Sequence, residues 1–135
     1  MGFTRLNRMA IINSFRDLRA YQQARSEASR IFEMSKRFPV NEKYSLTDQI
    51  RRSSRAVKSM VAEAWAHRRY RASFISKLTD AIGEANETQS WLDDALDCGY
   101  LRAEEHGELD AAWQSIGGML ANMILKANDF CKNAS

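Results

Sequence analysis

A single proline, at position 39, and four stretches in which apolar or small residues recur at alternating steps of three and four leave this chain few alternatives to long helices. The first seam runs Tyr21, Ala24, Ala28, Ile31, Ser35 and Phe38. The second is Leu46, Ile50, Ser53, Val57, Met60 and Ala64, and the third is Phe74, Leu78, Ala81, Ala85, Thr88, Leu92 and Ala95. Leu109, Trp113, Ile116, Leu120, Met123, Ala127 and Phe130 form the fourth. A strand would alternate every second residue, and none of these stretches does.

The punctuation fits the same reading. Ser14-Phe15-Arg16-Asp17 and Ser45-Leu46-Thr47-Asp48 each have the spacing of a capping box, which predicts helix starts there. Ser73 is expected to cap the third helix, and Gly99 to close it in a left-handed conformation. Phe38-Pro39 ends the first, because a residue before proline is pushed out of helical geometry. The fourth is expected to run unbroken from about Ala103 to Cys131. Four such segments with short links predict an all-α fold, an antiparallel up-down-up-down four-helix bundle over residues 14–135. Residues 1–13 carry no clear period and are expected to be a loosely held extension. Trp65, Ile75, Ile82, Trp91 and Met119 lie off the main seams: they either widen the core or bury against another copy of the chain.

Sequence offers little for catalysis. There is no Walker loop, dinucleotide fingerprint or nucleophile elbow, and the Gly117-Gly118 pair inside the fourth period reads as a close-packing site. Neither of the two histidines completes a Glu-x-x-His motif, so no metal or cofactor is expected. Glu63 and His67 share a helix face without further ligands. Cys98 and Cys131 are expected to be buried small hydrophobes. With no signal peptide and no apolar run near 18 residues, a cytoplasmic protein with no membrane contact is expected.

Charge is more informative, because a net +3 conceals a strong polarity. Residues 51–77 carry +7, and residues 78–110 carry −9. Arg51, Arg55 and Lys58 fall on one side of the second helix, away from its seam; Arg52 flanks them, and Arg68, Arg69 and Arg71 carry the charge into the next turn beside Tyr70. Such a face suits phosphates, for which arginine offers a forked pair of donors. Asp80, Glu84, Glu87 and Asp94 gather on the polar side of the third helix. They could meet those arginines within the chain or in a neighbour, and head-to-tail repetition of that contact closes a ring when the rotation allows.

With the segments placed, a family resemblance becomes specific. Phe15-Arg16-Asp17-Leu18, Phe38-Pro39 and the run from Glu42 through Tyr44-Ser45-Leu46-Thr47 and Gln49-Ile50-Arg51-Arg52-Ser53 resemble the bacterial four-helix-bundle proteins encoded in intervening sequences of the large ribosomal RNA. The match continues through Ala62-Glu63, Gly83-Glu84-Ala85, Glu87-Thr88-Gln89, Trp91-Leu92 and Cys98-Gly99-Tyr100-Leu101, and so spans roughly residues 15–130. Ala64 departs from the family, which often has glycine there, and Arg102 occupies its usual polar cap position. The resemblance implies a homopentameric ring. A related branch, the accessory variability determinants of diversity-generating retroelements, works with a reverse transcriptase and nucleic acid. The family implies no catalytic residues.

Two functions are therefore expected to compete. One is a non-enzymatic, ring-forming bundle that binds RNA or DNA through Arg51, Arg52, Arg55, Lys58, Arg68, Arg69 and Arg71. The other is a scaffold for a polymerase-like or other protein partner, with Glu84, Glu87, Trp65 and Trp91 as its working surface and the arginines used between subunits.

Overall fold

The computed structural model describes residues 12–132. Among them are four long helices, α1 (Arg19–Ser35), α2 (Leu46–Ala66), α3 (Arg71–Asp97) and α4 (Ala103–Leu125), and a short α5 (Ala127–Cys131), with no strand. Each long helix packs on the next, and α1 also packs on α4, around one apolar core. The core follows the seams closely. All seven residues of the third seam are fully buried. Within α2, Val61 is buried where Met60 was expected, and Met60 packs at the margin. Ser53 and Thr88 belong to the seams although they are polar: their hydroxyls hydrogen-bond each other at 2.8 Å across α2 and α3, and Thr88 also donates to the Glu84 carbonyl at 3.0 Å. Two buried polar groups are thus satisfied without water. Trp65, Ile75, Ile82, Trp91 and Met119 are all partly buried and pack against the core from its edge.

Helix ends depart from expectation in physically clear ways. The Ser14 capping box forms, with Ser14 Oγ accepting from the Arg16 amide and Asp17 from the Ser14 amide, but it closes only a 3-10 turn, Phe15–Asp17. Leu18 is then extended and buried, and α1 starts after it without a side-chain cap. The expected 1–13 extension falls mostly outside the described residues; Ile12 packs on the core, and the Asn13 amide donates to Asp17 at 2.9 Å. At α2 Ser45 holds the N-cap position, but its side chain caps no amide. Ser45 instead donates its hydroxyl to Glu42, whose carboxylate also accepts the Leu46 amide at 3.4 Å, while Asp48 turns to Arg52. Ser73 lies inside α3, bonded to His67. Arg102 begins α4 without a side-chain cap, and the expected unbroken fourth helix breaks at Lys126.

Gly99 closes α3 as expected. At φ +79° it lets the Tyr100 amide reach the Ala95 carbonyl and its own amide reach Leu96, both bonds of a Schellman motif. A Cβ at Gly99 would meet no atom within 4 Å, so Gly99→Ala is a test of backbone strain alone. It is expected to lower stability by about 1 kcal/mol, the left-handed penalty of an L-residue, read as a shifted urea midpoint at constant slope.

The Gly99 turn also delivers Tyr100 to the link between α1 and α2. Its ring lies 5.4 Å from that of Phe38, and its hydroxyl donates to Glu42 at 2.8 Å. Hydrogen bonds from Ser45 and Tyr100 hold the Glu42 carboxyl below its ordinary range, and the same bond to Glu42 pushes the Tyr100 phenol up to about 12. The lowered Glu42 contributes stability that is present above the ordinary glutamate range, near pH 4, and is lost as pH falls through its own lower value. The raised Tyr100 contributes stability that is present below its ordinary range and lost as pH rises through about 12. Glu42→Gln is therefore expected to flatten the acid limb of a stability profile measured by urea unfolding. An acid limb identical to that of the unmodified chain would assign the dependence to other carboxylates.

Candidate nucleic-acid interface

The basic face is built where α1 lies against α2. Arg51, Arg55 and Lys58 follow one another on a single side of α2 at steps of four and three. Opposite them, α1 presents Phe32, Ser29 and Arg25, and a shallow groove of about 260 Å³ opens between the two helices. Phe32 organises this groove. Its ring carries the Arg51 guanidinium at 4.6 Å, Arg55 at 5.2 Å and the Lys36 ammonium at 4.9 Å. Attraction to the ring face limits the freedom of these cations without consuming an N–H donor. Arg51 spends one donor, its Nε, on Ser35 Oγ at 2.7 Å. Among the described residues, no ion pair neutralises Arg25, Arg51, Arg55 or Lys58; Glu33, which also lines the groove, pairs with Lys36 at 3.1 Å.

The remaining basic residues are used differently. Arg52 is exposed and paired with Asp48 at 3.0 Å. Arg68 folds over Trp65 at 3.5 Å, with its Nε buried and unpartnered, and burial lowers its pKa. Arg69 lies 6.0 Å from Tyr70, which is 63% exposed, and Arg71 donates to Asn128 at 2.7 Å. The expected single basic block is thus two patches, a groove with free cations and a turn whose arginines are partly occupied. Sequence reading missed Arg25 and Phe32. Both lie on the first helix, and only packing brings them to the second.

The acidic residues also gather as expected. Asp80, Glu84, Glu87 and Asp94 share one face of α3, and Trp91 continues the same spacing between the last two. Partial burial, then Glu87 and Asp80, raise the Glu84 pKa above the ordinary value. Among the described residues, no ion pair joins this face to Arg51, Arg55, Lys58 or the Arg68–Arg71 turn; the ion pair between α2 and α3 is that of Glu63 with Lys77, 3.1 Å apart, and both belong to the basic block. Trp65 and Trp91 are both partly buried.

The other expected sites change. Glu63 and His67 do not act as a pair, since Glu63 takes Lys77 and His67 Nδ1 lies 2.6 Å from Ser73 Oγ. Cys98 is exposed rather than buried, because it sits at the α3 terminus beside the Gly99 turn, and Cys131 is half-buried. Among the described residues, Gly117 and Gly118 meet no neighbour where a Cβ would stand, so no close packing there requires them. No described helix is long and apolar enough to cross a membrane.

Long helices around one core, with a cation-lined groove on one side and an acidic face on another, define an all-helical protein of segregated surface charge. The chain belongs to the 23S rRNA-intervening sequence protein family, whose model matches residues 16–122. It is also similar to a crystal structure from Bacteroides thetaiotaomicron VPI-5482, described as a protein with unknown function from the S23 ribosomal protein family. That likeness has a TM-score of 0.70 at 30% identity and covers 78% of this chain and 95% of the other. No curated protein matches the chain.

Proposed function

We propose that this chain is a non-enzymatic, cytoplasmic, antiparallel four-helix bundle that assembles into a ring and binds structured RNA through the α1–α2 groove. The observation that carries the reading is Phe32 flanked by Arg51, Arg55 and Lys36, with Arg25 and Lys58 beside it. Arg51, Arg55 and Lys36 are held over the ring, and Arg25, Arg51, Arg55 and Lys58 are without ion-pair partners among the described residues. Phosphate oxygens are their natural complement, and binding of this kind follows backbone charge and shape more than base identity.

Contacts at the two ends support the antiparallel topology. Arg37 and Glu42, near the first link, meet Glu105 and Tyr100, near the third. Arg71 and Phe74, just past the second link, meet Asn128 and Phe130 near the chain's end. Repeating one groove around a ring multiplies weak phosphate contacts through effective concentration. The test is anisotropy of labelled structured RNA, single-stranded RNA and duplex DNA across a salt series, with molar mass from light scattering on the same samples. A steep negative salt slope on a defined oligomer is expected. Absence of binding at low salt would overturn the reading.

A second reading rests on a match between the two faces. Arg51, Arg55, Lys58, Ala62 and Trp65 on α2 have the same spacing as Asp80, Glu84, Glu87, Trp91 and Asp94 on α3, each over about 21 Å. A neighbour's acidic face could therefore lie along the basic one as the ring joint, leaving a protein partner as the ligand of the assembly. Under this reading, Glu84→Lys with Glu87→Lys dissociates the ring; under the RNA reading it leaves the mass unchanged.

A further inference from the structure

Away from the basic groove, the structure brings together three metal-ligating side chains from two helices. His106 and Asp110 are four residues apart on α4 and so lie one above the other on the same face. The Gly99 turn folds α4 back along α3, which places Asp93 beside them. His106 Nε2 lies 2.8 Å from Asp93 Oδ1, and one ligand atom from each of Asp93, His106 and Asp110 lies within 4.8 Å of the others. Gln89, one turn before Asp93, donates to Asp110 Oδ1 at 3.1 Å and to the Gln114 amide oxygen at 3.1 Å. Gln89 and Asp93 on one helix thus mesh with His106, Asp110 and Gln114 on the other. The His106 side chain is only 17% exposed, while that of Asp93 is 66% exposed, so the imidazole is fixed by packing and one carboxylate is free to adjust.

We propose that Asp93, His106 and Asp110 form a site for one divalent first-row transition ion, of which zinc is the representative. An imidazole nitrogen with two carboxylates suits zinc, cobalt or manganese. It is a poor set for calcium, which takes six or more oxygens. Two carboxylates balance the charge of a divalent ion, and the surrounding −9 of residues 78–110 raises the local cation concentration. Bonds of about 2.1 Å place tetrahedral ligand atoms about 3.4 Å apart, so the His106–Asp93 pair must open by about 0.6 Å and no pair need close by more than about 1.4 Å, within the reach of rotamer adjustment at the two aspartates. Gln89 holds the Asp110 carboxylate in the manner of an outer-shell partner. Sequence reading did not find the set, because its third ligand comes from another helix and neither histidine lies in a recognised motif.

The test uses the full chain stripped with chelator, titrated with zinc by calorimetry and with cobalt(II) by its visible absorption. The expected result is one ion per chain, with cobalt bands of a low-coordinate site. His106→Ala and Asp93→Asn are expected to lower zinc affinity at least 100-fold, and Gln89→Ala about tenfold. Zinc should raise the melting temperature of the unmodified chain and leave that of His106→Ala unmoved. His67→Ala, at the other histidine, should bind as the unmodified chain does. Unchanged affinity in His106→Ala, or a cobalt spectrum identical to that of the free aqueous ion, would reduce the trio to a His106–Asp93 hydrogen bond.

Discussion

Replacing Arg51, Arg55 and Lys58 together by glutamine is expected to lower affinity for structured RNA on the order of 100-fold at low salt. The slope of log affinity against log salt should shrink by about three, one for each lost phosphate contact. Molar mass and helical content should not change, because all three side chains lie outside the buried core. Two of them share the Phe32 ring, which pre-orders their guanidiniums and makes their joint loss larger than that of flexible surface lysines. Arg52→Gln serves as the contrast. That guanidinium is paired with Asp48 in an exposed bridge, so its loss should change binding little. A triple variant with the unmodified chain's salt slope would remove the groove from consideration. A triple variant that falls apart into monomers would instead move these residues to the ring joint.

The largest expected loss of stability follows Trp113→Ala. Trp113 is fully buried on α4 within the core shared by all four long helices. Truncation removes the largest buried side chain and leaves a cavity that backbone helices cannot readily collapse, for an expected loss of about 3–5 kcal/mol. Its indole N–H has no hydrogen-bond partner among the described residues, so Trp113→Phe deletes an unsatisfied donor along with part of the volume. The phenylalanine variant should therefore lose clearly less than the alanine one. Urea unfolding followed by circular dichroism measures both, and equal losses would show that packing volume matters little at this position.

These two predictions rest on parts of the molecule that differ in how far the sequence exposes them. Trp113 could be chosen without a structure, since it stands in a three-four seam and the seams became the core. The failures came at helix ends and at charged side chains. The capping box at Ser14 has the right residues, yet Leu18 is drawn into the core and confines that box to a short turn. At α2 the serine lost its expected role because Glu42, fixed by Tyr100 from a distant turn, reaches the free amide of Leu46 first. Met60 yielded to Val61, which continues the inward spacing from Val57 by four residues where the seam had taken three.

Charge was legible as composition and not as geometry. The polarity of residues 51–77 against 78–110 can be counted along the chain, and the helical period correctly groups Arg51 with Arg55 and Lys58. Whether a given arginine is free depends on what another helix places beside it. Phe32 and Arg25 complete the groove, Trp65 and local burial occupy Arg68, and Asn128 takes Arg71. The trio of Asp93, His106 and Asp110 follows the same rule.

By itself, then, the sequence determined the helical class, the core-facing stripe of each long helix, the Gly99 turn and the separation of charge. All of these arise from contacts within a few residues, where spacing and backbone preference suffice. The tertiary structure alone decided which cations stay unpaired, how the Phe32 groove forms and where two aspartates meet a histidine. Those outcomes depend on side chains from different helices, whose approach is set by how the whole core packs.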